Sequence, residues 1–129
     1  MLHEDLTRKI IGCAYRVFNA MGHGFLESVS ENCMLVEFEK IGVRASNQYP
    51  IKVYYDGRVV GAFEADLFVE NCVIVELKSV RTTLMVHEVQ LVNYLKATGI
   101  DVGLLINFGE KQVEVKRKLR VLPETDDGE

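Results

Sequence analysis

The stretch that most constrains the fold is residues 64–78, which read EADLFVENCVIVELK. Two apolar runs flank a turn pair of glutamate and asparagine, so we expect two adjacent antiparallel strands. Neighbouring strands lie about 4.8 Å apart, and alternate residues of a strand share a face. Paired as a hairpin, the runs would bring Asp66, Glu76 and Lys78 together on one side of a sheet.

This charged group has two interpretations at the level of sequence. Two carboxylates beside an ammonium suit a hard divalent cation that carries a polarised water, which points to metal-dependent phosphodiester chemistry. The alternative is a structural ion pair at the end of a sheet, because charges in a buried strand are costly unless they are paired or bind metal. The residues of this stretch by themselves leave both open.

The periodicity of apolar residues predicts eight elements in the order α-α-β-β-β-α-β-β. The predicted helices cover about residues 4–21, 25–41 and 85–98, and the predicted strands cover 48–55, 59–69, 72–78, 101–107 and 113–121. Asp56-Gly57 is a strong hairpin turn. Three antiparallel strands, a crossover helix and further strands imply an α/β fold with a central mixed sheet flanked by helices.

Length and charge narrow the class of protein. We expect one domain over residues 1–122 and a disordered acidic tail over 123–129 in this chain of 129 residues. The net charge of −4 argues against binding nucleic acid through overall charge, although a local basic groove is compatible with it. Short apolar runs and an N-terminus without a signal-like segment predict no membrane span and a cytoplasmic location. The three cysteines form no CxxC pair, so we expect reduced thiols.

Other candidate residues lie outside the hairpin. His87, Gln90 and Tyr94 share one face of the third predicted helix, either as a functional stripe or as a solvated flank. Glu27 falls in the first turn of the second helix, where the helix dipole alone would favour a carboxylate. The basic run 116–120 (KRKLR) is either a solvated edge strand that blocks further pairing or a rim that contacts phosphate.

Taken together, Asp66, Glu76-x-Lys78 and Gln90-x-x-x-Tyr94 resemble the PD-(D/E)XK nuclease superfamily. More closely, the chain resembles the small bacterial and archaeal GxxExxY proteins, although Ser30 stands where that family has tyrosine. Five segments carry this second resemblance: Gly24-Phe-Leu-Glu27-Ser-Val-Ser30, Ala65-Asp66-Leu-Phe-Val-Glu70, Val75-Glu76-Leu-Lys78, Val86-His-Glu-Val-Gln90 and Gly103-Leu-Leu-Ile-Asn-Phe108.

The resemblance implies a restriction-endonuclease-like fold and a metal site. Asp66 and Glu76 would bind one or two Mg²⁺ or Mn²⁺ ions with the help of the Leu77 carbonyl. Glu27 would add an outer or second-metal carboxylate. Lys78 would orient the attacking water or stabilise negative charge on the scissile phosphate.

The resemblance also implies residues that contact the substrate. Gln90 and Tyr94 would hold the geometry of the metal site or the substrate backbone, and His87 would join them. Lys116 and Lys118 are the basic residues expected to contact phosphate if the run 116–120 faces the site.

The function expected from these features is metal-dependent hydrolysis of phosphodiester bonds in DNA, ahead of RNA, by a metal-activated water. The alternative is a non-catalytic module that keeps the nuclease fold and binds nucleic acid or protein. Cleavage of a small phosphate ester is a weaker third interpretation. Because the domain is minimal, we expect structure-specific or weakly selective cleavage, as a homodimer or with a partner.

Overall fold

The structure is a computed structural model, and it describes residues 2–121. The element order is the predicted one, and the bounds are α1 Glu4–Met21, α2 Glu27–Lys40, β1 Ala45–Tyr55, β2 Arg58–Val69, β3 Val73–Lys78, α3 Met85–Thr98, β4 Val102–Phe108 and β5 Val113–Leu119. The main difference is β1, which starts at Ala45 instead of residue 48. Residues 46–48 are polar and Gln48 adopts a left-handed φ of 49°, so the start of this strand lacks the apolar alternation that a sequence pattern detects.

The five strands form one mixed sheet in the order β1-β2-β3-β4-β5. Neighbouring strands are antiparallel except β3 and β4, which are parallel and are joined by α3. A parallel pair needs such a crossover because the chain must return to the same end of the sheet. The prediction of an α/β fold with a mixed sheet flanked by helices is therefore confirmed.

Each face of the sheet carries its own core. On one face, α1 and α2 contribute Ile10, Met34 and Phe38 to a core that includes Leu67 and Val75. On the other face, α3 packs a smaller core built around side chains that include Leu91, Leu95, Ile74 and Leu105. Strand β3 lies between the two cores, and residues 73–75 are fully buried.

Two tight turns set the register on either side of β2. Asp56 and Gly57 have φ values of 52° and 76°, and Glu70 and Asn71 have φ values of 51° and 55°. Left-handed conformations at both central residues are typical of hairpin turns whose twist matches that of the strands. Both predicted turns are confirmed, and the second one brings β2 back beside β3.

Three further predictions concern the cysteines, a membrane span and the acidic tail. The three cysteines are free thiols, with Cys13 buried and the other two partly buried. Within residues 2–121 no helix is long and apolar enough to cross a membrane. The predicted acidic tail lies outside the described residues.

A glycine on β4 allows α3 to approach the sheet closely. A Cβ added at Gly103 would lie 2.8 Å from Leu91 Cδ1 and 3.0 Å from its Cγ. Leu91 is fully buried and has little room to move.

We expect Gly103→Ala to lower the free energy of unfolding by about 1–3 kcal/mol in urea titrations. Gly12→Ala in α1 is the control and should not destabilise, because its Cβ would meet only a flexible arginine at 3.6 Å. Equal stability of both variants would contradict the close approach.

Candidate active site

The hydrogen bonding between β2 and β3 changes from backbone–backbone to backbone–side chain where Asp66 faces Glu76. The regular β2–β3 register covers Leu67 to Val69 opposite Val75 to Val73. Beyond it, the Asp66 N–H donates to Glu76 Oε2 at 2.8 Å, and the Leu77 N–H donates to Asp66 Oδ2 at 2.7 Å. We call this reciprocal arrangement of Asp66, Glu76 and the Leu77 N–H the carboxylate clasp. It joins β2 to β3 through side chains at the point where the backbone ladder ends.

The strands on both sides of Asp66 are irregular. Ala65 packs in the α3 core whereas Leu67, two residues later, packs in the α1–α2 core, so the alternation of faces breaks at Asp66. On β1, Gln48 falls between the pairs that join Asn47 to Leu67 and Tyr49 to Ala65, and its φ is left-handed. The break leaves Asp66 partly exposed, with its carboxylate turned towards β3.

The carboxylates of the clasp repel each other. Burial raises the pKa of Glu76 to about 8, and the charge of Asp66 contributes to this rise. Burial also raises the pKa of Asp66, and the charges of Glu31 and Glu27 add to it. Lys78 acts in the opposite direction on both groups. A proton or a cation between the carboxylates would therefore relieve an unfavourable interaction.

The oxygen donors of the clasp fit a hard cation. Among the hydrogen bonds of residues 2–121, only Oδ2 of Asp66 and Oε2 of Glu76 are used, so one oxygen of each carboxylate stays available. The Leu77 N–H points towards β2, and in an extended strand the carbonyl of the same residue points the same way. Two carboxylate oxygens and a carbonyl are ligands that Mg²⁺ and Mn²⁺ accept.

These donors are few. In the part of the chain that the structure describes, no group of three or more histidine, cysteine, aspartate or glutamate side chains is close enough to hold a metal. A cation at the clasp would need water or phosphate oxygens to complete its coordination. Mg²⁺ usually keeps several waters and is bound through one or two carboxylates plus phosphate.

Helix α2 brings two further carboxylates towards the clasp. Glu27 is its first residue and is exposed. Glu31, one turn later, is buried and accepts hydrogen bonds from Asn47 Nδ2 at 3.2 Å and Gln48 Nε2 at 2.6 Å. Sequence analysis missed Glu31. Its spacing of four residues from Glu27, which places both on one helix face, was the available signal.

Helix α3 presents a hydrogen-bonded pair of side chains near the clasp. Gln90 Nε2 donates to Tyr94 Oη at 2.9 Å. Tyr94 is buried, and burial together with the charge of Glu76 raises its pKa. His87, predicted to join this pair, accepts the Leu84 N–H through Nδ1 at 3.1 Å and so caps the start of α3, and its role at the site stays a prediction.

The two lysines proposed from the basic run occupy the α3 side of edge strand β5. They stand opposite Leu105 and Gly103 of β4. Lys118 Nζ lies 2.5 Å from Glu88 Oε1 of α3, whereas Lys116 is exposed. Contact of either lysine with a phosphate stays a prediction.

A buried asparagine fixes the chain just beyond β3. Asn107 Oδ1 accepts the Val80 N–H at 2.9 Å, and its Nδ2 donates to the Val80 carbonyl at 2.9 Å and to Glu114 Oε1 at 2.8 Å. Asn107 is opposite Lys78 in the parallel register. Sequence reasoning assigned it no role, although an amide at the end of an apolar strand was a visible signal.

Comparison with known proteins agrees with this geometry. The family described as the PD-(D/E)XK nuclease superfamily matches residues 4–118. The chain belongs to this superfamily. PD-(D/E)XK nucleases generally use divalent metal ions, and the donor set of the clasp is compatible with such an ion.

A solved structure supports the fold. The crystal structure of a protein named SSO0001 matches with a TM-score of 0.56 and 15% sequence identity, over 94% of this chain and 61% of that one. At this identity the likeness concerns the restriction-endonuclease-like fold alone. This PD-(D/E)XK chain thus spans about three fifths of SSO0001. Among curated proteins, none matches it in sequence.

The raised pKa of Glu76 predicts that the clasp destabilises the protein at neutral pH without metal. The pKa of about 8 in the folded chain lies above its ordinary value of 4.5, so the folded state holds the proton more tightly. The free energy of unfolding therefore falls as the pH rises through this window. Glu76→Gln keeps an oxygen that accepts the Asp66 N–H but removes the charge. We expect this variant to be more stable than wild type at about pH 8, by up to a few kcal/mol, and nearly equal at about pH 4.

Urea titrations in EDTA measure this difference. Glu64→Gln is the matched control because Glu64 lies on β2 with an exposed side chain. The control should follow wild type at both pH values. A Glu76→Gln variant that is less stable than wild type at about pH 8 would contradict the electrostatic account.

Proposed function

We propose that this protein is a metal-dependent nuclease that hydrolyses phosphodiester bonds of DNA, ahead of RNA. The observation that carries the proposal is the carboxylate clasp, which places two mutually repelling carboxylates at an opening of the sheet with Lys78 within electrostatic reach. A structural ion pair would have put the lysine into direct contact with a carboxylate. Among the ion pairs of residues 2–121, Lys78 has no such contact.

Asp66 and Glu76, with the Leu77 carbonyl, would hold one Mg²⁺ or Mn²⁺ ion. When bound, the ion would lower the pKa of a coordinated water and offset negative charge on the phosphate. The two backbone N–H bonds of the clasp fix one oxygen of each carboxylate and so orient the other. The protein thus supplies ligands whose positions are set before metal arrives, which limits reorganisation during the reaction.

Lys78 would act on the substrate as a point charge. Its ammonium would orient the attacking water or stabilise negative charge on the scissile phosphate. The hydrogen bonds of Asn107 to both backbone groups of Val80 hold the segment that follows Lys78. We infer that Asn107 is a positioning residue for this lysine.

Side chains on the two neighbouring helices would complete the site. Glu27 would serve as an outer or second-metal carboxylate, since its charge acts on both clasp residues. Glu31 is already held by two amides and would act mainly through its charge. Gln90 and Tyr94 would hold the site geometry or the substrate backbone.

The finer family assignment is also a proposal. The five segments of sequence that resemble the GxxExxY proteins include the clasp, the first turn of α2 and the Gln90 turn of α3, so the resemblance falls on the residues that surround the site. Structure-specific or weakly selective cleavage, as a homodimer or with a partner, stays a prediction that rests on the minimal size of the domain.

A binding module that keeps the fold is the second candidate function. The observation in its favour is that, among residues 2–121, no three carboxylate, histidine or cysteine groups are close enough to hold a metal by themselves. Such a module would bind nucleic acid or protein without cleaving it. The cleavage experiment below separates the two functions.

Loss of a clasp ligand or of the lysine should abolish cleavage. We expect Asp66→Asn and Lys78→Ala to lower the Mn²⁺-dependent cleavage rate of an oligonucleotide by on the order of 100-fold or more, because each removes charge at the reacting phosphate. Circular dichroism and urea titration should show an intact fold. Lys111→Ala is the control, since this lysine is exposed in the β4–β5 loop. Wild-type turnover in Asp66→Asn would refute the assigned role, and no turnover in wild type would favour the binding module.

A milder effect is expected at the helix carboxylate. Glu27→Gln should raise the Mn²⁺ concentration needed for half-maximal rate by about tenfold, because outer carboxylates tune metal affinity. Glu64→Gln, an exposed glutamate on β2, should leave that concentration unchanged. If Glu27→Gln needs the same Mn²⁺ concentration as wild type, Glu27 acts only through the dipole of helix α2.

A further inference from the structure

A cavity of about 460 Å³ lies between the β1–β2 hairpin and α3, beside the candidate active site. We call it the α3 pocket. Strand residues Val53 and Phe63 form one wall, and helix residues form the other, among them Gln90, Asn93, Tyr94 and Lys96. A volume of this size lies within the range of sites for small organic groups.

The strand wall of the α3 pocket offers a flat aromatic surface. Phe63 is 45% exposed although it lies on the face of the sheet that α3 covers. Its ring packs against the buried ring of Tyr94, with centroids 5.5 Å apart and planes tilted by 40°. The contact fixes the Phe63 ring while leaving much of its surface to the cavity. A fixed, half-exposed aromatic ring is a stacking platform for a planar ligand.

The helix wall offers polar groups suited to the edge of a planar heterocycle. Gln90 uses its amide nitrogen for Tyr94 Oη, which leaves its carbonyl oxygen as an acceptor. Asn93 adds an exposed amide with donors and an acceptor, and Lys96 adds an exposed ammonium. Together these groups match a nucleotide. The amide side chains can hydrogen-bond to the edge of a base, the aromatic ring can stack on the base and the cation can contact phosphate.

The α3 pocket adjoins the carboxylate clasp. Tyr94 lines the cavity and packs in one core with Ala65 and Ile74, which lie one residue before Asp66 and two residues before Glu76 on their strands. A nucleotide whose base enters the pocket would therefore have its backbone on the side of the clasp. We propose that the α3 pocket binds one unstacked nucleobase next to the phosphate held at the clasp, so that the substrate is single-stranded or locally opened nucleic acid.

This inference deepens the proposed function and rests on it for the position of the phosphate. A base inside an intact duplex is stacked on both sides and cannot reach a pocket wall without leaving the helix. A single strand, a flap or a mismatch supplies an unstacked base at lower cost. The pocket thus selects for nucleic-acid structure, because only an unstacked base can enter it.

Binding of short oligonucleotides to the Asp66→Asn protein tests the proposal without cleavage. Fluorescence anisotropy would compare Phe63→Leu, which keeps an apolar side chain but removes the stacking ring, with Tyr15→Leu. Tyr15 is the matched control because it is 47% exposed on α1, on the opposite face of the sheet. We expect Phe63→Leu to weaken single-strand binding by about tenfold and Tyr15→Leu to leave it unchanged.

Abasic substitution identifies the base itself. Oligonucleotides of about six residues that lack one base at successive positions should show one position where the loss weakens binding to the Asp66→Asn protein. At that position the loss should have no effect on the variant that also carries Phe63→Leu, since ring and base act as a pair. Asn93→Ala, an exposed substitution with little risk to folding, should weaken binding at the same position.

Two results would overturn the proposal. One is equal single-strand affinity with and without the Phe63 ring, and the other is a set of abasic oligonucleotides that all bind alike. Cleavage by the wild-type protein is measured separately, so the two proposals can fail independently. A Phe63-dependent base effect without any cleavage would retain the pocket and reject the nuclease. Cleavage without the base effect would reject the pocket and retain the nuclease.

Discussion

The structure depends on the hydrogen bonds that two backbone N–H groups make where strands β2 and β3 separate. The N–H groups of Asp66 and Leu77 lie beyond the last regular β2–β3 pair, and buried backbone donors are costly when they are unpaired. The carboxylates of Glu76 and Asp66 accept them across the gap. The strands can therefore separate without losing their connection. The same separation leaves one oxygen of each carboxylate available at the surface of the opening, so a single interaction both closes the fold and presents the candidate ligands.

The charges at the clasp lower the stability of the fold but suit the function that we propose. Each of the two carboxylates in this partly buried opening raises the free-energy cost of charging the other. Helix α2 adds the charges of Glu27 and Glu31 from a second direction. Lys78 offsets part of that charge but makes no ion pair with the clasp among residues 2–121. Groups with strongly perturbed pKa values gather at functional sites because catalytic and binding groups need pKa values matched to their task. A cation would convert the repulsion into coordination, which supports the metal site that we propose.

The sequence predicted those parts of the site that depend on local geometry. Asp66 and Glu76 lie on two strands that a short turn at Glu70 and Asn71 joins, so the strands must be neighbours and the meeting of the two carboxylates follows from the register. Glu31 could not be found in this way, because its burial depends on where α2 docks and on Gln48 adopting a left-handed φ in β1. Asn107 was likewise missed, since its partner lies 27 residues away along the chain and no spacing rule links them. Element order came from periodicity, whereas the contacts that position α2 and the β3–α3 loop came from tertiary packing.

The most direct test of the account is a calorimetric titration of Mn²⁺ into the wild-type protein and Asp66→Asn, each with and without a non-cleavable oligonucleotide. The account predicts binding to wild type that strengthens with the oligonucleotide, because phosphate oxygens would complete the coordination that the clasp begins. It predicts that Asp66→Asn loses this binding in both conditions. Absence of Mn²⁺ binding to wild type under both conditions would contradict the account and leave the clasp as a purely structural link between two strands.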